Sequence, residues 1–260
     1  MRHSIAPTIT EAIGVSHLYV PLMTAFRDAV SDAIAGDEAE LEDTIPAAIR
    51  QVVRRHLGDR IRVVFDPELK VDAIAVGDTI RLKDTIRQNY ADGAVHLRTA
   101  GVDVGDSPRM VHLIRATATL VIHELVHIQQ HLRQAGREKM EYRSYLGTAD
   151  EFEHQMRRAA EVGGGTPESV RLYNASPQEI PALAHEAALA FVDKHGLAEP
   201  RSRYQLAQLH ANLHNLLTAE LYSEFNKPSN TAEYAVFKRF GRLLYQEVIR
   251  FIERAATQKD

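Results

Sequence analysis

Cysteine is absent from all 260 residues, so no disulfide can brace the core and no thiolate can hold a metal ion. Any metal must be held by His, Asp or Glu. An excess of positive charge is missing too: Lys and Arg total 31 against 35 Asp and Glu. A slightly acidic chain offers little to a phosphate backbone, and nucleic acid is not expected as a partner. No long uncharged apolar stretch stands out as a bilayer span. The opening segment lacks the continuous apolar run of a secretory signal, being interrupted by Pro7, Thr8, Thr10 and Glu11. No membrane partner is expected, and the cytoplasm is the expected location. Repeats and low-complexity tracts are also lacking. A chain of this length can bury a sizeable core, as one large domain or a compact domain with a helical extension.

The patterning predicts a mainly helical α+β chain. Leu18, Leu22, Phe26, Val30 and Ile34 recur at helical spacing before Gly36, and a second helix is expected from Thr44 to Leu57. The period then changes. Residues 61–65 are short and β-branched, and the run Ala73 to Leu82 is split by Gly77-Asp78, a hairpin signal. Val95 and Leu97, alternating with His96 and Arg98, read as one more strand. A small antiparallel or mixed sheet is thus expected just before the next helix. That helix opens with Ser107 as N-cap and Pro108 at its first position, and runs to about Ala135 before Gly136. A polar stretch follows, including Gly163-Gly164-Gly165, and reads as loop around one short helix near Glu151 to Glu161. Another helix is expected from Ser176-Pro177 to His195. Two amphipathic helices close the chain, one lined by Leu206, Leu209, Leu213, Leu216 and Leu217, the other by Phe237, Phe240, Leu244, Val248 and Phe251. The expected organisation is N-terminal helices over 1–60 packed on a core over 61–195, with a C-terminal helical extension over 196–260, in one compact unit.

Residues 120–128 read Leu-Val-Ile-His-Glu-Leu-Val-His-Ile. On a helix His123 and His127, four apart, project from nearly the same face and can reach one ion. Glu124 lies about a quarter-turn round, beside the metal position rather than on it. That offset suits a base taking a proton from a water whose pKa a zinc ion lowers toward about 7. The flanks are apolar on most sides, from Met110 to Ile128, so the helix is expected to be buried. Two imidazoles and a carboxylate in such a place cost several kcal/mol unless paired or coordinated, and a metal removes the difficulty. A core Glu–His network satisfied by ordinary hydrogen bonds is the competing reading.

With these residues the chain resembles the zincin metallopeptidases, whose active-site helix carries His-Glu-x-x-His after a small sheet with a substrate-binding edge strand. The resemblance covers roughly residues 61–195 and implies a zincin-like fold, a zinc ion and hydrolysis of a peptide or protein substrate. It does not extend to metzincins, which need Gly and His where this chain has Gln130 and Arg133. His131 keeps the four-residue spacing, but three such side chains on one straight helix drift apart. The segment from Tyr173 to Ala184 is similar to a stretch found after the zinc helix in phage and bacterial zincin-like proteins. That resemblance implies Glu179 as third ligand, a His2Glu site of the gluzincin sort, with Pro181 as a departure. Ser176 followed by Glu179 also reads as a capping box, which would give the carboxylate to the helix terminus. Glu186 is the reserve ligand, and His185 is a candidate for metal, substrate or a supporting position. Tyr173 is the first candidate for an oxyanion donor, with packing as its competing role. The hairpin at Ala73 to Leu82 is a candidate edge for pairing with an extended peptide.

The expected function is a zinc-dependent metallopeptidase with Glu124 as general base. The alternative is a zinc-stabilised structural or interaction protein, for example a phage virion component, that assembles through its C-terminal helices. A zincin acting on a non-peptide amide is the third reading.

Overall fold

The computed structural model describes residues 18–35, 41–58, 61–134, 144–162, 165–195, 203–218 and 222–257. It divides into two compact units, one within residues 14–132 and the other within residues 133–260.

The first unit begins with α1 (Tyr19–Ala35) and α2 (Leu41–Leu57), which pack on each other. Leu22, Phe26 and Val30 of α1 are buried at the predicted spacing, and Ile49, Val52 and Val53 form the matching face of α2. Helix α2 starts three residues before the expected Thr44 and carries Pro46 inside. Strands β1 (Arg62–Asp66), β2 (Ala73–Val76) and β3 (Thr79–Lys83) form a mixed sheet in the order β1-β3-β2. β3 runs parallel to β1, with Val63 beside Ile80 and Phe65 beside Leu82. β2 is antiparallel to β3, with Ala75 beside Ile80. Their connection is the expected Gly77-Asp78 turn, where Gly77 takes a φ of 62° that a side chain would strain. Ile80 and Leu82 point into the core, while Arg81 on the other face pairs with Asp66 of β1.

The strand expected around Val95 and Leu97 does not form. Both residues lie in α3 (Asp84–Ala100), which buries Ile86, Tyr90, Ala94 and Leu97 at helical spacing. Asp84 opens this helix, held by the Arg87 guanidinium at 2.6 Å, and Gly101 closes it at φ 64°. Four alternating residues carry less information than seventeen with one buried helical stripe.

Helix α4 (Pro108–Gln134) starts where Ser107 Oγ accepts the Met110 N–H at 3.3 Å, as the N-cap reading required. Met110, Ile114, Ala118, Val121, Ile122, Leu125, Val126 and Ile128 are buried. By length and composition residues 108–130 could cross a bilayer, unlike the sequence expectation, but half of that stretch is already buried inside the protein. A core helix passes the same test.

The second unit contains α5 (Ala149–Val162), α6 (Pro167–Asn174), α7 (Glu179–His195), α8 (Arg203–Leu216) and α9 (Thr231–Thr257). Helix α6 falls in a stretch expected to be loop. Its start signal is the same as that of α4: Thr166 Oγ1 accepts the Ser169 N–H at 3.1 Å and Pro167 takes the first position. Gly163 and Gly164, also expected in the loop, lie outside the described residues. Helices α7 and α9 make the principal contact of this unit. The small side chains Ala184, Ala187 and Ala188 of α7 are buried, as are Phe240, Leu244, Val248 and Phe251 of α9. Tyr222, before α9, stacks on Phe240 with ring centroids 3.8 Å apart. The leucine stripe of α8 is buried only toward its end, at Leu213 and Leu217, while Leu206 is exposed.

Among the described residues the chain is thus mainly helical, with nine α-helices and one three-stranded mixed sheet.

Candidate metal centre

His123 and His127 sit well inside α4, so helix period sets their spacing. Residues four apart stand one turn above the other. The rings meet accordingly: Nε2 of His127 lies 3.1 Å from Nε2 of His123, and the ring planes cross at 70°. Two nitrogens bound at about 2.0–2.1 Å to one tetrahedral ion stand roughly 3.3 Å apart. The helix alone therefore brings this pair to ligand spacing.

The orientation of His127 has a local cause. Its Nδ1 lies 3.4 Å from Oε1 of Gln130, three residues on, and Gln130 is buried. A proton on Nδ1 donated to that oxygen leaves the Nε2 lone pair facing His123. Gln130 stands three residues after His127, and that spacing is the sequence signal for this further role.

Glu124 is 6% exposed, so its carboxylate is held in the protein rather than in bulk water. It is set about 100° round the helix from His123.

Glu179 opens α7 and is 4% exposed. Ser176 Oγ accepts the Glu179 N–H at 3.1 Å, which is the expected cap. A full capping box would also need the Glu179 carboxylate to accept the Ser176 N–H. That N–H is donated to the Tyr173 carbonyl instead, at 2.9 Å. The cap is built from Ser176 and Tyr173, and the carboxylate of Glu179 is not its second half. Pro181 falls in the first turns of the helix, which runs on to His195 without a break.

His123 and His127 belong to the first unit and Glu179 to the second, and each offers one atom that could ligate a metal ion.

The remaining candidates fall elsewhere. Glu186 is half-buried on α7. The side chain of His131 lies outside the described residues. Tyr173 is on α6 and 41% exposed. His185 faces α9: its Nδ1 is 3.1 Å from Glu247 Oε2, and both side chains are 1% exposed. Arg250 holds the other Glu247 oxygen. Burial pushes the Glu247 carboxyl upward, but His185 and Arg250 outweigh it and hold the group below its ordinary value. Tyr222 was not singled out in the sequence. Its hydroxyl donates to the Asn174 carbonyl at 2.7 Å. Burial first, then the charge of Glu179, pushes its pKa up, so this phenol stays protonated close to the Glu179 carboxylate.

Comparison with family models, with curated proteins and with solved structures finds no match. The functional reading therefore rests on the chemistry of the site.

Proposed function

We propose that the chain is a zinc-dependent hydrolase of peptide bonds, with His123, His127 and Glu179 holding the ion and Glu124 as general base. Two imidazoles and a carboxylate suit zinc and keep a fourth position open, as a catalytic site needs and a closed structural site does not. This is a ligand set of the gluzincin sort. The observation that carries the reading is the 3.1 Å approach of the two Nε2 atoms on α4, with the buried carboxylate of Glu179 as the proposed third ligand.

When bound, zinc supplies Lewis acidity, polarising a carbonyl and lowering the pKa of a water toward about 7. The chain's own residues supply the rest. Gln130 holds the tautomer of His127. Glu124, next to His123 in sequence and shielded from bulk water, takes the proton of the attacking water and returns it to the leaving amine. Tyr173, with its partly exposed side chain, is the candidate donor to the developing oxyanion. The exposed face of β2, with Ile74 and Val76 at the sheet edge, is the candidate surface for pairing with an extended peptide.

The test is a peptide-library digest by the zinc-loaded wild type and by Glu124→Gln, with metal content measured on both. The expected result is equal metal and a loss of hydrolysis on the order of 10²–10⁴-fold in the variant. Undiminished hydrolysis in Glu124→Gln removes the enzymatic reading. A wild type that holds zinc, cuts nothing and melts at a lower temperature after His123→Ala supports the structural alternative instead.

A further inference from the structure

The second unit carries a cavity of about 600 Å³ along the first three turns of α9, next to the turn that bears Tyr145. Its apolar lining is Ala232, Ala235 and Val236, and its remaining walls are Tyr145 and three cations, Lys238, Arg239 and Arg242. Among the described residues no carboxylate pairs with any of the three. The Arg239 guanidinium lies over the Tyr145 ring at 5.0 Å, and Lys238 lies over the Tyr234 ring at 4.8 Å. Nε of Arg239 is buried and makes no hydrogen bond among the described residues.

Each of these features has one physical consequence. Three like charges within five residues of one helix repel, and a counter-ion relieves them. Ring contacts hold Arg239 and Lys238 in place without using up their N–H donors. A buried guanidinium nitrogen lacking an acceptor gains from an anion that supplies one. The apolar lining and the exposed tyrosine ring favour a ligand with an apolar or aromatic body rather than a bare ion.

We infer that this cavity binds a phosphate monoester carrying an apolar or aromatic group, with the phosphate on Arg239, Arg242 and Lys238 and the organic part against Tyr145 and Val236. Two guanidiniums and an ammonium match a dianionic phosphate better than a single carboxylate. A small molecule is favoured over an acidic partner helix by the shape. The cavity has the volume usual for small-ligand sites, and its α9 lining spans only about three turns, roughly 15 Å. The inference stands apart from the metal site and from any hydrolytic activity.

Calorimetric titration of the full chain tests it, with phenyl phosphate, inorganic phosphate, benzoate and phosphatidylcholine vesicles containing phosphatidic acid as probes. Phenyl phosphate is expected to saturate one site, with inorganic phosphate and benzoate each roughly tenfold weaker or more. Arg239→Gln and Arg242→Gln each lower phenyl phosphate affinity by about tenfold or more, and circular dichroism stays unchanged. Tyr145→Leu weakens phenyl phosphate but leaves inorganic phosphate as it was. Vesicle binding competed by phenyl phosphate places the same chemistry on a lipid headgroup; phenyl phosphate binding without it places the chemistry on a soluble ester. The proposal is overturned if phenyl phosphate shows no saturable binding, if benzoate binds equally well, or if an acidic helical peptide binds and phenyl phosphate does not. Affinity unaltered in the folded Arg239→Gln, Arg242→Gln double variant also overturns it.

Discussion

His127 and Gln130 meet through Nδ1 and Oε1 at 3.4 Å, one turn apart on the same helix. With the proton on Nδ1, which this contact favours, Nε2 is left with a lone pair facing His123. Replacing Gln130 by leucine keeps the volume and removes the acceptor. Zinc affinity is expected to fall by about 10–100-fold, while the melting temperature of the metal-free protein stays close to wild type. Competition titration with a zinc chelator measures the first quantity and calorimetry the second.

Ser176 and Glu179 have separable roles. Ser176→Ala removes the acceptor for the Glu179 N–H and is expected to lower stability by about 1 kcal/mol with zinc stoichiometry intact. Glu179→Gln leaves that hydrogen bond in place and is expected to lower zinc affinity strongly while changing chemical stability of the metal-free chain little. Denaturant melts and metal analysis of both variants check the separation; the reverse pattern would make the carboxylate a helix cap after all.

Glu247 links folding to acid. Its carboxyl is held below its ordinary value in the folded chain by His185 and Arg250. A group with a depressed folded pKa binds fewer protons when folded, so its contribution is present above the unfolded pKa and is lost as pH falls through the folded one. Stability should therefore drop on acidification from about pH 5 toward pH 3, and more steeply in wild type than in Glu247→Gln. Melting temperatures of the two proteins across that range give the comparison, and parallel curves would contradict the linkage.

How far the sequence foretold this arrangement depends on the range of the interaction. His123 and His127 were legible because a helix converts a spacing of four into a shared face. The start of α4 was legible because Ser107-Pro108 states it locally. The same signal at Thr166-Pro167 opens α6, but the glycine run before it reads as loop. At Val95 and Leu97 a short alternation reads as a strand, although Ile86, Tyr90 and Ala94 continue one helical stripe through it. The partnership of His185 with Glu247 and the approach of Tyr222 to Glu179 join residues more than 40 positions apart, and no local pattern encodes them. The proposed metal ligands divide along the same line: two come from one helix turn, and Glu179 is suggested only by resemblance to a known family.

The account turns on a cation shared by His123, His127 and Glu179. Elemental analysis of untagged protein, loaded with zinc and then dialysed, tests it most directly when run beside a His123→Ala, His127→Ala double variant. About one zinc retained per wild-type chain, and almost none in the variant, is the predicted result. Wild-type protein that retains no zinc, or a double variant that retains as much, would contradict it.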